Sequence, residues 1–484
     1  MDVLEKLNNI FGEDFVSNRP EELYVYSRDM TENPPSTPDY VVMPESVEQV
    51  QEVVKLANQL KIPITPYVAG SNVGGLTIPY EHGIVLDFKR MKKVIEIDRE
   101  NMYIVVEPGF TFGHLRKLLD EELTEFEYSF PFAPPYSSVT ANALLHGLGS
   151  LSHKYGSMNE YINGLEVVLA TGELLRVGSC AISPFWNMRS PLPDLMGLFI
   201  GFQGTTGIVT KCGVSLWPKP PFQAHCMIFS TDPADIYHSL IFKLCRSQIC
   251  QEIGGGLLNT AIAEGILPME KLEGLISMMG FTPKYEGLYF ANLCTLWGCS
   301  QDALRAKYKF LVKLVNETND KEDANLVLLR PEEYGEMGKE MMTPINLPVQ
   351  IPGLLKEGGL TWVGSYVPLS RWLEGCLRGI EIHKKYDRVP GVLHRPMKYG
   401  HYGVQRFLIP FNKSSEQDIQ DVTAMCKELV EMILDIGGMP YKMPNWVAKI
   451  MMDRADPHFF QLLKTIKHTL DPNGILNPGK LGID

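Results

Sequence analysis

A strand, an amphipathic helix and a second strand run directly into a glycine-rich loop between residues 40 and 75. This succession limits the fold more than any other stretch of the chain. Tyr40-Val41-Val42-Met43 reads as a strand. Val47, Val50, Val53, Val54 and Ala57 share one helical face over residues 46–60, behind Ser46 as N-cap. Ile62-Pro63-Ile64-Thr65-Pro66 reads as the next strand, so the unit has βαβ size. The loop that follows is Gly70-Ser71-Asn72-Val73-Gly74-Gly75. Glycines this close together let backbone N–H groups reach phosphate oxygens with no Cβ in the way. The pattern is neither a Walker A sequence nor GxGxxG, which argues against nucleotide-triphosphate hydrolysis and a Rossmann dinucleotide site. By itself it also reads as an ordinary glycine-rich turn. Ser137-Ser138-Val139-Thr140-Ala141-Asn142 likewise suits hydrogen bonding to a phosphate or polar ring, and alone reads as a helix N-cap.

Short strands dominate the rest of the first 220 residues: 83–87, 94–97, 103–109 closed by a turn, 164–175 as strand, turn, strand, 207–211 and 214–217, with a helix from Thr111 to Leu119. This is α+β texture, and it ends at Pro218-Lys219-Pro220-Pro221, a natural boundary. Helical stretches at 234–250, 301–316 and 416–436 then alternate with strands such as 287–290 and 406–410, the pattern of a second α+β lobe. A last helix near 457–469 leads into Asp471-Pro472-Asn473-Gly474-Ile475-Leu476-Asn477-Pro478-Gly479-Lys480.

The 484 residues suffice for two or three domains with real cores. The net charge of −12 disfavours phosphate backbones, so nucleic-acid binding is not expected. No apolar run of 18 residues predicts a membrane span, and the acidic N-terminus lacks the apolar segment of a signal peptide. Nine cysteines without a regular framework are expected to be reduced thiols of a cytoplasmic protein. Cys245/Cys250 and Cys294/Cys299 have Cys-x4-Cys spacing but no CxxC, so no metal is expected. His394, Arg395 and Lys398 read as a solvated basic face or the mouth of an anion pocket.

The ordered series of glycine loop, VVEPGF, SSVTAN, GLEVVLATGELL, GTTGIVTK and DPNGILNPGK resembles the FAD-linked oxidoreductases of the vanillyl-alcohol oxidase / p-cresol methylhydroxylase family. The resemblance implies an α+β fold with a two-lobe architecture. A PCMH-type FAD-binding domain would come from residues 1–220 completed by 437–484, with an inserted α+β cap domain over 221–436. Carried over by motif, Gly70, Ser71, Asn72, Gly74 and Gly75 would cradle the FAD pyrophosphate. Ser137, Ser138, Val139 and Asn142 would line a second flavin loop. Gly207, Ile208 and Val209 would meet the adenosine half, and Asn477 and Lys480 would close the site from the tail.

Covalent members bond the flavin through a cap residue, often His. Anchored on Phe411-Asn412-Lys413, the corresponding residue here is Gln405, which cannot form that link, so non-covalent FAD is expected. Gly437-Gly438-Met439-Pro440-Tyr441-Lys442 resembles the stretch with which phenol-oxidising members grip a phenolate. Tyr441 and Lys442 are therefore expected to act on the substrate, with His401 approaching the same cavity from the cap. The family's tyrosine in the glycine loop and its acid near flavin N5 are absent. The resemblance implies hydride transfer from a C–OH or benzylic C–H carbon of a small substrate, of the para-hydroxyaryl alcohol or alkylphenol type, to flavin N5. Electrons would leave to oxygen, a cytochrome or an electron-transfer flavoprotein. A 2-hydroxy-acid dehydrogenase, a flavoprotein electron-transfer subunit of a larger complex and a flavin-free structural relative are the alternatives, and homo-oligomerisation stays open.

Overall fold

Ser46 starts the Val47–Leu60 helix by accepting a hydrogen bond from the Gln49 N–H at 3.4 Å, and Lys61 ends it in the left-handed conformation. Val50, Val53, Val54 and Ala57 are wholly buried on the face that the periodicity marked. In the computed structural model, which describes residues 2–259, 270, 274, 288–330 and 357–483, this helix is the crossover of a four-stranded sheet. The sheet's order is Val16–Ser17, Tyr40–Val42, Ile84–Asp87, Ile64–Tyr67. Ile84–Asp87 lies between the two strands of the βαβ unit and runs parallel to both.

The tail completes this sheet. Leu476 forms a parallel bridge to Ile64, which also exchanges backbone hydrogen bonds with Ile475 and Asn477. Lys467, near the end of the Pro457–Leu470 helix, forms a buried ion pair with Asp471 and donates to the carbonyls of Thr205 at 3.0 Å and Leu476 at 2.8 Å. Asp471 in turn accepts the N–H groups of Ile475 and Leu476.

A second, antiparallel sheet of five strands follows, ordered Val94–Asp98, Tyr103–Val106, Ile208–Ser215, Ile162–Val168, Leu174–Gly178. The two strands expected at 207–211 and 214–217 are mostly one, Ile208–Ser215. Its two register shifts against Ile162–Val168 mimic a break.

The third sheet has eight strands, all paired antiparallel and drawn from residues 222–440. Gly358–Val367, Val392–Met397 and Tyr402–Asn412 lie toward one edge, and Met439–Pro440 forms that edge. Helices Trp372–Lys385 and Glu416–Asp435 pack on one face, where Phe407, Ile409 and Phe411 join Trp372 and Leu429 in the core. Side chains alternate across a strand, so Tyr402, Val404, Arg406 and Leu408 face the other way, toward the N-terminal part. The helix expected at 234–250 is a π-type turn, Asp235–Leu240, followed by Ile241–Ser247. Helix 301–316 runs on to Glu322. The strand expected at 287–290 is Phe290–Gly298, and Gly287 lies outside the described residues. No described helix is long and apolar enough to cross a membrane.

Candidate functional site

A deep cleft runs between the glycine loop, the 131–148 segment, residues 203–209 and the open face of the eight-stranded sheet. Its lining runs from Pro66, Gly204 and Asn477 to Leu360, Trp362 and Lys442, and this long, open shape suits an elongated ligand.

Gly70, Ser71, Asn72, Ser137, Ser138, Asn142, Gly207, Ile208, Val209, Asn477 and Lys442 all line this one cleft, although they are scattered over more than 400 residues of sequence. Gly70 takes φ +58, where its missing Cβ avoids the Tyr67 ring. Ser71 and Ser137 join the two loops by an Oγ–Oγ hydrogen bond of 2.8 Å. Ser138 caps the Val139–Leu144 helix and donates to the Pro108 carbonyl at 2.5 Å. It thus builds the wall and has little left to offer a ligand.

Gln203 and Asn477 both adopt left-handed backbone and are latched by a 2.6 Å bond from Asn477 Nδ2 to the Gln203 carbonyl. Their amide oxygens are buried at the cleft with no protein partner. Orphaned acceptors of this kind are costly unless a ligand supplies donors. With the glycine-rich wall beside them, they fit a flavin nucleotide.

Other expected residues support the cleft without lining it. Gly74 does not line the cleft: a Cβ there would strike the backbone carbonyl of Lys442. Gly75 donates its N–H to Asp29 Oδ2 at 2.9 Å, and at its φ of +63 a side chain would meet Tyr80 and Asn33. Lys480 is wholly buried, donates to the carbonyls of Gly75 at 2.8 Å and Ile78 at 2.9 Å, and lies 4.0 Å over the Tyr80 ring. Burial pulls its ammonium down to about 7. Val139 sits in the core beneath the second loop.

Two expectations require correction. Gln405 does not approach the cleft. It points to the helix-covered face of the sheet and donates to the Trp372 carbonyl at 2.8 Å. His401 is exposed, in the tight turn between Val392–Met397 and Tyr402–Asn412, where Lys398, Tyr399 and Gly400 all have positive φ. The expected basic face is also divided. His394 lies in the helix-side core between Tyr237 and Asn292, Arg395 pairs with Glu252 on the other face, and Lys398 pairs with Glu160. Among the described residues no group of three or more His, Cys, Asp or Glu is arranged to hold a metal.

Gln203 was missed at the level of sequence, and so was Arg406, one step beyond Gln405. Arg406 lines the cleft, donates through Nε to Tyr441 Oη at 2.8 Å and stands 5.8 Å from the Trp362 ring centre. A cation flanked by apolar strand residues on the open face was the available signal. Gly364, paired with Arg406 across the strands, leaves the space that the Tyr441 ring occupies. Lys442 has φ +53, and its Nζ lies 3.5 Å from Asn142 Oδ1. Burial, reinforced by the like charge of Arg406, lowers its ammonium to about 7. Met30, Leu148, Leu360 and Trp362 complete this end of the cleft. The cleft thus joins a glycine-rich wall with orphaned acceptors to an apolar end holding two basic side chains.

Two stretches of the chain match known families. Residues 38–178 match a family described as an FAD binding domain, and residues 362–481 match the C-terminal domain of FAD linked oxidases. The flavoprotein subunit of 4-cresol dehydrogenase [hydroxylating] from Pseudomonas putida is 27% identical, over 99% of this chain and 95% of its own. A mitochondrial D-lactate dehydrogenase [cytochrome] of Arabidopsis thaliana is 27% identical over 92% and 73%. The glycolate oxidase subunit GlcD of Bacillus subtilis is 34% identical over 45% of each chain. Among solved structures, p-cresol methylhydroxylase with substrate bound superposes with a TM-score of 0.86 at 23% identity, over 99% of this chain and 96% of that one. A 4-ethylphenol oxidase from Gulosibacter chungangensis in complex with isoeugenol gives 0.82 at 20%, over 99% and 96%.

The chain is an FAD-dependent oxidoreductase. It carries the FAD binding domain and the C-terminal domain of FAD linked oxidases.

Proposed function

We propose that this enzyme oxidises a C–OH or benzylic C–H carbon of a small para-hydroxyaryl substrate whose oxygen sits as an anion between Lys442 and Tyr441. The observation that carries the reading is the convergence of Lys442 and Arg406 on an apolar cleft end walled by Trp362 and Leu360, with Tyr441 hydrogen-bonded to Arg406 behind that lining. Oxidation of a para-hydroxybenzylic carbon pushes charge onto the phenol oxygen, and donors placed there favour that transition state. A buried anion also needs such donors to offset its lost water.

FAD would lie along the glycine-rich wall. Gly70, Ser71 and Asn72 would hold its pyrophosphate, Gly207–Val209 its adenosine half, and the free oxygens of Gln203 and Asn477 its donors. When bound it supplies the hydride acceptor. The chain's own contribution is to orient the carbon, exclude water through Leu148, Leu360 and Trp362, and hold the oxygen's charge. In this reading residues 1–220 and 437–484 form the flavin lobe and 221–436 the cap.

Anaerobic mixing of holoprotein with para-hydroxybenzyl alcohols, alkylphenols and 2-hydroxy acids tests the proposal by flavin absorbance. Bleaching by the phenolic compounds is expected, and bleaching by hydroxy acids alone would overturn it. The 2-hydroxy-acid reading keeps support from the two basic side chains, which also suit a carboxylate, and from the lactate- and glycolate-oxidising relatives. Failure of every substrate to bleach the flavin would favour an electron-transfer subunit. Reoxidation of the reduced protein by oxygen, a cytochrome or an electron-transfer flavoprotein identifies the acceptor.

A further inference from the structure

We infer that Lys442 is a proton acceptor for the substrate: its neutral amine takes the hydroxyl proton as the substrate enters, so that the bound pair is an ammonium and an oxyanion. The inference rests on the proposed phenolic reading and goes beyond it, because a fixed cation would need the substrate to arrive already ionised.

Geometry carries the assignment. The Lys442 segment is pinned from three sides. The Tyr441 N–H bonds the Gly364 carbonyl at 3.1 Å, Gly74 packs on the Lys442 carbonyl, and Gln203 Nε2 donates to the Met443 carbonyl at 3.2 Å. A left-handed backbone at Lys442 itself directs the side chain into the cleft. There Nζ meets only the Asn142 amide oxygen, at the long distance of 3.5 Å. A lone pair or an N–H is thus available to a ligand in the same place.

The surrounding charges agree. From the cap strand the neighbour is Arg406, a like charge, with the Tyr441 hydroxyl bound to its Nε. From the 131–148 segment it is His146, whose own imidazole is held low chiefly by burial and in part by Lys442. Glu32 stands on the wall of a second, small cavity that Lys442 also borders, and burial raises its carboxyl toward the neutral form. No carboxylate contributes to holding the amine protonated. Burial and Arg406 leave Lys442 neutral above about 7. Arginine cannot play this part, since it stays protonated throughout.

The step balances without an added reagent. The substrate O–H bond breaks, an N–H bond forms on the Lys442 lone pair, and the net charge of the pair is unchanged.

The test is binding of phenol, which has no benzylic carbon to oxidise and ionises near about 10 as tyrosine does. Ultraviolet difference spectra report whether it is bound as phenol or phenolate, and titrations at several pH values give Kd. FAD content of each holoprotein checks folding. For the wild type we expect bound phenolate, with affinity flat between about 7 and 10 and falling tenfold per pH unit below about 7. Lys442→Arg should instead gain tenfold per unit across the same range, because only free phenolate suits a fixed cation. Lys442→Gln should bind phenol un-ionised. Un-ionised phenol on the wild type, or phenolate on Lys442→Gln, would overturn the inference and leave the cleft's phenolic reading standing. Failure of the wild type to bind phenol at any pH would overturn both.

Discussion

Lys442 and Tyr441 are adjacent in sequence but act through different contacts. Tyr441 is held by Arg406, whereas Lys442 stands almost free of partners. Lys442→Met should therefore slow flavin reduction by about 2–4 kcal/mol in transition-state terms, by analogy with a lost oxyanion donor, while FAD content stays near wild type. Tyr441→Phe should be milder if the hydroxyl serves only to place Arg406. Single-turnover reduction with a substrate that bleaches the wild type measures both. Gly74 belongs with these residues. A Gly74→Val change would push the Lys442 carbonyl away, so the damage should appear in substrate-driven reduction before FAD binding. Overpacking of this sort costs about 1–3 kcal/mol, and thermal unfolding of the holoprotein together with bound flavin per chain separates the two effects.

At the scale of elements, two buried lysines tie the tail to the N-terminal part of the chain. Lys467 neutralises Asp471 and fastens the 205 and 476 carbonyls. Removing it strands Asp471 in the interior, and breaking such a pair costs about 3–5 kcal/mol. Lys467→Met should accordingly lower the urea midpoint and release FAD, because Asn477 loses its position beside Gln203. Lys480 clasps the glycine loop instead. Its folded-state pKa lies near 7, below the ordinary 10.5. Between those values the unfolded chain binds a proton that the folded chain lacks, so stability rises with pH in that window. The slope from this group is at most about 1.4 kcal/mol per pH unit. Urea unfolding at pH 7, 8 and 8.5 should show a smaller rise for Lys480→Met than for wild type. An unchanged slope would mean that Lys480 stays charged when folded.

At the scale of the whole molecule, the strand Ile64–Tyr67 needs residues 475–477 beside it, and the cleft needs Lys442, Asn477 and the cap strands. A fragment of residues 1–220 should therefore be unstable and lack FAD, which circular dichroism melting and flavin absorbance would show. A soluble, cooperatively melting, FAD-binding fragment would count against the proposed division. The segments that meet at the cleft were legible in the sequence because their signals are local: a glycine cluster, a serine cap, a helix with apolar residues on one face. The tail's Tyr441-Lys442 pair was legible through the resemblance of residues 437–442 to the stretch with which phenol-oxidising members grip a phenolate. Which residue of strand 402–412 faces the cleft was not. A strand reverses its face at every residue, so a one-residue difference in placement exchanges Gln405 for Arg406. The role of Gly74 was hidden for a related reason: the carbonyl it accommodates lies 368 residues further along. The sequence by itself determined the glycine loop, the serine cap and the helical crossover, since these rest on short-range pattern, while the flavin and the two-lobe plan were implied by resemblance. Only the tertiary structure decided that Arg406 shares the substrate end with Lys442, that His401 does not, and that Gly74 shapes the lysine's path. Those outcomes depend on strand register and on contacts between distant segments, which no local pattern encodes.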